Sequence, residues 1–186
     1  DSPINHKPFY ILLDVLFEEN HYAEVIAKEI KNDLLLTEKA YLPVRIPSVD
    51  SILADKLTAF APHTTGIGLD KGKDMEVIKQ FYDVCSLIEI FTNCDIVKWT
   101  YEPIARAEID YRGIDVKPTD CLWDTFNSSL CVASRGKVRT EEYSKYVNGI
   151  RDLRGHIYAE NYSPEIAAGR APMVMYMVMC LLTDKE

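Results

Sequence analysis

The feature that most limits how this chain can fold is the order of its hydrophobic patterns. Every β-type run falls within the first 46 residues, and every segment after Ser48 except the loop Ala61–Lys73 reads as helical. Strands followed by helices, rather than alternating with them, specify an α+β fold or a small sheet followed by a helical domain. Pro8–Phe17 (PFYILLDVLF) is too short and too apolar for an amphipathic helix and reads as a buried strand. Phe9, Ile11, Leu13, Val15 and Phe17 make one wholly apolar face, and Tyr10, Leu12, Asp14 and Leu16 make the other. Val25–Ile30, Leu34–Leu36 and Leu42–Ile46 read as short strands, with a helix over Tyr22–Lys31 as the competing reading of the first. Pro43 and Pro47 suit the ends of the last strand, where no ladder donor is needed.

Ser48–Ser51 offers N-caps for a helix running to about Phe60. Ala61–Lys73, with one proline, three glycines and no periodicity, is a loop. Helices are expected over Asp74–Phe91, Ile96–Tyr111, Thr119–Ala133, Thr140–Tyr158 and Pro164–Thr183, the last with Ser163 as cap and Pro164 in its first turn. The organisation is then a sheet-bearing part over residues 1–92 and a helical part over 93–186.

At 186 residues the chain can bury about 70 % of its unfolded surface, so it needs no disulfide or metal staple. Its net charge of −8 disfavours a protein that coats nucleic acid through its bulk field. The five cysteines show no C-x-x-C spacing, so reduced thiols in a cytoplasmic protein are the simplest reading. The apolar run Ala171–Leu182 is shorter than the roughly 20 residues that cross a bilayer, and no membrane association is expected. P-loop, dinucleotide-binding, serine-hydrolase and zinc-protease motifs are absent. The four histidines are scattered, which argues against a histidine metal site and leaves the thiols without an obvious base.

Two residues sit where their chemistry is awkward. Asp14 lies between Leu12 and Leu16 in the apolar first strand, where an unpaired carboxylate costs several kcal/mol. A metal ion, a basic partner or a solvent-open strand end must compensate it. On a helical wheel Ile52, Leu53, Leu57 and Phe60 form one apolar arc, and Lys56 falls inside it while Asp55 and Thr58 fall outside. Lys56 must snorkel or meet an anion, either Asp14 or a bound phosphate. Asp83 shares a face with Glu76, Lys79 and Gln80, which by periodicity alone is a solvated polar face. Arg135, Lys137, Arg139, Lys145, Arg151 and Arg154 form a locally basic stretch, either a solvated face or a surface for a polyphosphate or RNA backbone. Tyr143, Tyr146 and Tyr158 nearby suit a core better than a stacking platform.

Residues 44–90 resemble the AbiEii family of nucleotidyltransferase toxins, in the DNA-polymerase-β-like nucleotidyltransferase superfamily. The resemblance rests on the helix ending Asp55-Lys56-Leu57-Thr58-Ala59-Phe60, on the loop APHTTGIG followed by Lys71-Gly72-Lys73, and on Lys79-Gln80-Phe81-Tyr82-Asp83-Val84. That last run is similar to the family's K/R-D-x-x-D helix. Upstream, Leu12–Phe17 resembles the strand carrying the family's third acidic residue. The helical remainder, with Tyr146-x-x-Gly149-Ile150, is similar to the family's C-terminal part. The fold implied is an α+β remnant of a nucleotidyltransferase mixed sheet followed by a mostly helical part.

The resemblance implies an Mg²⁺-dependent transfer of a nucleoside monophosphate from an NTP to an RNA or protein acceptor, with pyrophosphate leaving. It implies the toxin of a type IV toxin–antitoxin or abortive-infection pair, cytoplasmic and with a cognate antitoxin as partner. Asp14, Lys56 and Asp83 would be the catalytic residues. Asp14 would serve the metal, Lys56 would neutralise phosphate, and Asp83 would orient Lys56 or the nucleotide. Lys56, Lys73 and Lys79 would bind nucleotide phosphates. The sequence also departs from the family. Gln80 replaces the first acidic residue of the K/R-D-x-x-D helix, and no glycine-containing phosphate loop or D-x-D strand precedes Asp14. The expectation is therefore the C-terminal two-thirds of such an enzyme, inactive by itself, with a sheet edge open to another copy. The alternative is a non-catalytic module derived from the same fold that binds a protein or RNA.

Overall fold

The structure is a computed structural model that describes residues 13–31 and 39–183. Strands β1 (Val25–Glu29) and β2 (Pro43–Pro47) pair antiparallel, with Val25 opposite Pro47, Ala27 opposite Arg45 and Glu29 opposite Pro43. The β-branched Val25 and Ile26 favour this ribbon over a helix across Tyr22–Lys31, and the two prolines of β2 take its ends as expected. The apolar segment at Leu13–Phe17 is not a buried strand. It has no regular structure and is exposed, Phe17 by 95 %. Residues 8–12 of that expected strand, and Leu34–Leu36, lie outside the described residues.

Six α-helices follow: α1 (Val49–Ala59), α2 (Asp74–Ile88), α3 (Cys94–Arg112), α4 (Pro118–Ala133), α5 (Thr140–Leu153) and α6 (Pro164–Thr183). Ser48 caps α1 by accepting from the Ser51 N–H, and Asn93 caps α3 by accepting from Asp95 and Ile96. Pro118 and Pro164 occupy first-turn positions, where a missing N–H costs nothing. Helix α5 stops short of Tyr158: a single 3₁₀ turn, Arg154–His156, ends it, and Tyr158 is exposed rather than part of the core. Tyr146, at the expected core spacing, is fully buried.

Helix α1 packs on α3, α2 on α5, and α4 on α6. One contiguous core joins them, drawing Leu53, Leu57 and Phe60 from α1, Ile78, Phe81 and Val84 from α2, Tyr146 and Ile150 from α5, and Val174 and Val178 from α6. Its residues come from both sides of position 92. Helix α6 is longer than its most apolar run suggested: 20 residues with a mean hydropathy of 1.5, so by length and composition it could cross a bilayer. Here it lies against α4 and gives Ala167, Ala171, Val174, Met177, Val178 and Leu181 to the core.

The ribbon is held to the helices by polar contacts rather than by apolar packing. The Ser51 hydroxyl at the start of α1 donates to the Glu24 carbonyl (3.2 Å) and meets the Thr100 hydroxyl of α3 (3.2 Å), while the Ala23 N–H donates to Thr100 (3.1 Å). Beside it the buried Asp50 carboxylate accepts from the Thr92 N–H at 2.8 Å and from its hydroxyl at 3.1 Å, tying α1 to the α2–α3 turn.

Candidate functional site

Lys56 lies in the last turn of α1, with Leu53, Leu57 and Phe60 buried around it. Phe60 meets Phe81 of α2 at a ring-centroid distance of 5.1 Å, which fixes the two helices side by side. Above that contact the Lys56 ammonium stands 3.2 Å from Asp83 Oδ2 and donates to Gln80 Oε1 at 2.9 Å. The apolar arc therefore resolves as an anion-paired lysine. Asp83 is not on a solvated face as periodicity alone suggested: it is 29 % exposed and turned onto α1. Gln80, the departure from the family's acidic residue, accepts from the same cation without adding a second negative charge. One carboxylate balances the Lys56 charge and the amide adds none, and about a quarter of the lysine's surface stays open to solvent.

The other expected site residues are not joined to this pair. Asp14 is exposed on the irregular segment before β1, so the cost expected of a carboxylate buried in a strand does not arise. Lys73 is the N-cap residue of α2 and Lys79 lies on its second turn; both are exposed. Among the described residues no group of three or more His, Cys, Asp or Glu side chains converges as a metal site, so a resident Mg²⁺ has no assembled donor set there. Three of the thiols are unsuited to nucleophilic work: burial pushes Cys85 up to about 12, Cys131 up to about 11, and Cys121 upward.

Periodicity missed two clusters. The first closes the loop after α1. The backbone N–H of His63 donates to Asp124 Oδ2 and its ring Nδ1 lies 2.7 Å from Asp124 Oδ1, while Nε2 lies 3.1 Å from Glu142 Oε1. Thr64 and Ser128 also donate to Asp124, which is 6 % exposed. The hydrogen bond to Asp124 raises the His63 pKa above its ordinary value, helped by the charges of Asp124 and Glu142 and opposed by burial and by Arg139. A signal was present: Asp124 falls on the same wheel arc as Cys121, Thr125, Ser128 and Val132, the criterion that singled out Lys56. From the basic stretch, Arg139 and Lys145 serve as internal ties, Lys145 donating to the Leu69 carbonyl at 2.5 Å.

The second cluster adjoins Lys56. Asp55, read as lying outside the apolar arc, is half-buried, and Tyr22 donates to its Oδ2 at 3.3 Å. Burial raises its pKa, against the lowering effects of Lys56 and Tyr22. Thr58, also read as outside the arc, is buried; its hydroxyl turns back to the Asp55 carbonyl (2.7 Å), which satisfies it within the helix.

Fold and site together define an α+β protein in which a lysine of α1 is held by an aspartate and a glutamine of α2. Residues 5–158 match the family model described as nucleotidyl transferase AbiEii toxin, type IV TA system. The chain belongs to that family of nucleotidyltransferase toxins. Comparison with curated proteins and with solved structures returned no match.

Proposed function

We propose that this protein transfers a nucleoside monophosphate from an NTP to an acceptor hydroxyl on RNA or protein, as the toxin of a type IV pair. The observation that carries this reading is the Lys56 ammonium, fixed over an apolar floor, held by Asp83 and Gln80, and still open on one side. In the reaction the acceptor oxygen bonds to the α-phosphorus, the bond to the bridging oxygen of the β-phosphate breaks, and pyrophosphate leaves. Lys56 offsets charge on the phosphates, where a cation in a partly dry site is worth more than in water. Asp83 orients Lys56, and Lys73 and Lys79 add positive charge along α2. The Mg²⁺ implied by the family enters as the counter-ion of the nucleotide substrate, with Asp14 as this chain's candidate ligand. Residues 1–92 carry the transferase part and 93–186 support it, and the setting is cytoplasmic. A cognate antitoxin is the expected partner, and the outer edges of β1 and β2, unpaired among the described residues, offer pairing to a second copy.

The test is nucleotide binding by calorimetry and transfer of label from NTP, on the protein and on Lys56→Ala. Removing a charge-assisted phosphate contact of about 1.5–3 kcal/mol lowers affinity roughly 10- to 100-fold. The half-exposed ion pair lost with it is worth at most about 1 kcal/mol, so the melting temperature falls by only about 2–4 °C. Binding that is absent from the unmutated protein, or equal in the variant, refutes the reading and favours the non-catalytic module.

A further inference from the structure

Resting on the reading of Lys56 as a phosphate-binding cation, we propose that the nucleoside end of the NTP seats in the small cavity between α1, the loop after it, α2 and the end of α3, with Asp55 accepting a hydrogen bond from a donor on the base or ribose. The cavity has a volume of about 150 Å³ and is lined by Asp55, Thr65, Gly66, Gln80, Glu108 and Arg112, among others. Complete small-molecule sites run to about 300–1,000 Å³, so this space fits one moiety of a nucleotide and not the whole.

Three observations connect the cavity to Lys56 and give it a preference. Gln80 belongs to both: its Oε1 accepts from Lys56 at 2.9 Å while its side chain lines the cavity, so a group held there is continuous with one held by the cation. The polar lining is only partly satisfied by protein partners. Glu108 and Arg112 pair with each other, and Tyr22 occupies Asp55 Oδ2, whereas among the described residues Asp55 Oδ1 and the Gln80 amide nitrogen make no protein hydrogen bond and are not buried orphans, so solvent serves them. An acceptor and a donor lining one cavity and served by water are what the edge of a nucleobase or a ribose diol can take over. The wall opposite is backbone. Gly66 lies so close to the end of α1 that a Cβ there would sit 2.5 Å from the Ala59 carbonyl oxygen, so the loop is drawn in and the cavity is shaped by peptide rather than by a mobile side chain. Asp55 is also the carboxylate whose desolvation is least compensated, since burial outweighs Lys56 and Tyr22 in setting its pKa.

The experiment measures binding of inorganic tripolyphosphate, CTP, UTP and 2′-deoxy-CTP to the full chain and to Asp55→Asn, a substitution that keeps the side chain's shape. On the unmutated protein CTP is expected to bind at least tenfold more tightly than tripolyphosphate. In Asp55→Asn the nucleotide affinity falls at least tenfold and the tripolyphosphate affinity by no more than twofold. If the donor is the cytosine amine, UTP already binds weakly and is insensitive to the substitution. If it is the ribose hydroxyl, 2′-deoxy-CTP is the insensitive ligand. The proposal is overturned if CTP binds no better than tripolyphosphate, or if Asp55→Asn leaves CTP unchanged or weakens tripolyphosphate equally. The comparison of ligands on the unmutated protein decides even if the variant folds poorly. If no phosphate ligand binds at all, the fault lies in the reading of Lys56, and both fall together.

Discussion

The closest approach between two helices makes a quantitative test of the fold that carries the site. Gly149 on α5 faces the first turn of α2. A Cβ built there would stand 2.2 Å from the Asp74 carbonyl oxygen and 2.9 Å from Ile78 Cγ1, whereas ordinary contact begins at 3.4 Å. Gly149→Ala therefore needs the helices to part by more than an ångström, and the atom in the way is backbone that no rotamer change can move. Overpacking of this kind costs about 1–3 kcal/mol; with backbone in the way the upper end applies, and the roughly 1 kcal/mol that alanine gains over glycine in a helix leaves a net loss of about 2 kcal/mol. With about 2–4 °C lost per kcal/mol in a chain of this size, the melting temperature is expected to fall by roughly 4–8 °C. Gly169 in α6 is the matched control, because a Cβ there meets nothing within 4 Å. Gly169→Ala should raise the melting temperature by about 1–4 °C through propensity and the unfolded state alone. Thermal unfolding followed by circular dichroism reads both. If Gly149→Ala leaves the midpoint unchanged or raises it as Gly169→Ala does, the α2–α5 contact is not as close as described.

Other outcomes follow from individual contacts. His63 gains affinity for its proton in the folded state, so its stabilisation is complete below the ordinary imidazole value of about 6.5 and is lost as pH rises through the raised folded value. The melting temperature should drop over that window, and His63→Gln should flatten the drop; an unchanged slope would show that the ring does not bridge Asp124 and Glu142. Asp50→Ala leaves the Thr92 N–H and hydroxyl without their buried acceptor and should cost about 1–3 kcal/mol in urea unfolding, with Asp152→Ala, at an exposed position, as a near-neutral comparison. Asp83→Asn removes a negative charge 3.2 Å from Lys56. It should tighten tripolyphosphate binding several-fold, about 1 kcal/mol of relieved competition, while slowing transfer if Asp83 orients the cation; weaker tripolyphosphate binding would show that Asp83 supports the site in another way.

The helices were legible from their periodicity, with Ser48 and Pro164 marking two of the starts, and the elements fall within a few residues of the expected bounds. Asn93 and Pro118, which start α3 and α4, are signals that the expected starts at Ile96 and Thr119 left unused. Lys56 was legible for a related reason: a charge inside an apolar arc must find an anion, and Asp83 and Gln80 supply the partners. What periodicity could not give was the partner's identity. Asp83 and Lys56 are 27 positions apart, and tertiary packing of α1 on α2, with Phe60 against Phe81, brings them together. The apolar run at Leu13–Phe17 misled because composition reports a wish to be buried, while strand formation needs a neighbouring ladder, and none of the described strands pairs with it. His63 was passed over because it was counted with the other histidines instead of being weighed against Asp124, an equally misplaced carboxylate.

The suspension of the ribbon from hydroxyl groups makes α1 a rod with a handle. Its first turn, through Ser48 and Ser51, grips the strand end at Glu24, and its last turn carries Lys56. Eight residues separate Ser48 from Lys56, which places them about 12 Å apart along a stiff axis. Because the ribbon buries little apolar surface, its amides open to exchange at low free-energy cost, independently of the helical body. The rod itself, packed on α3, opens only with the whole. Hydrogen exchange should therefore run first through the amides of β1 and β2, while the helix that carries the cation keeps its place.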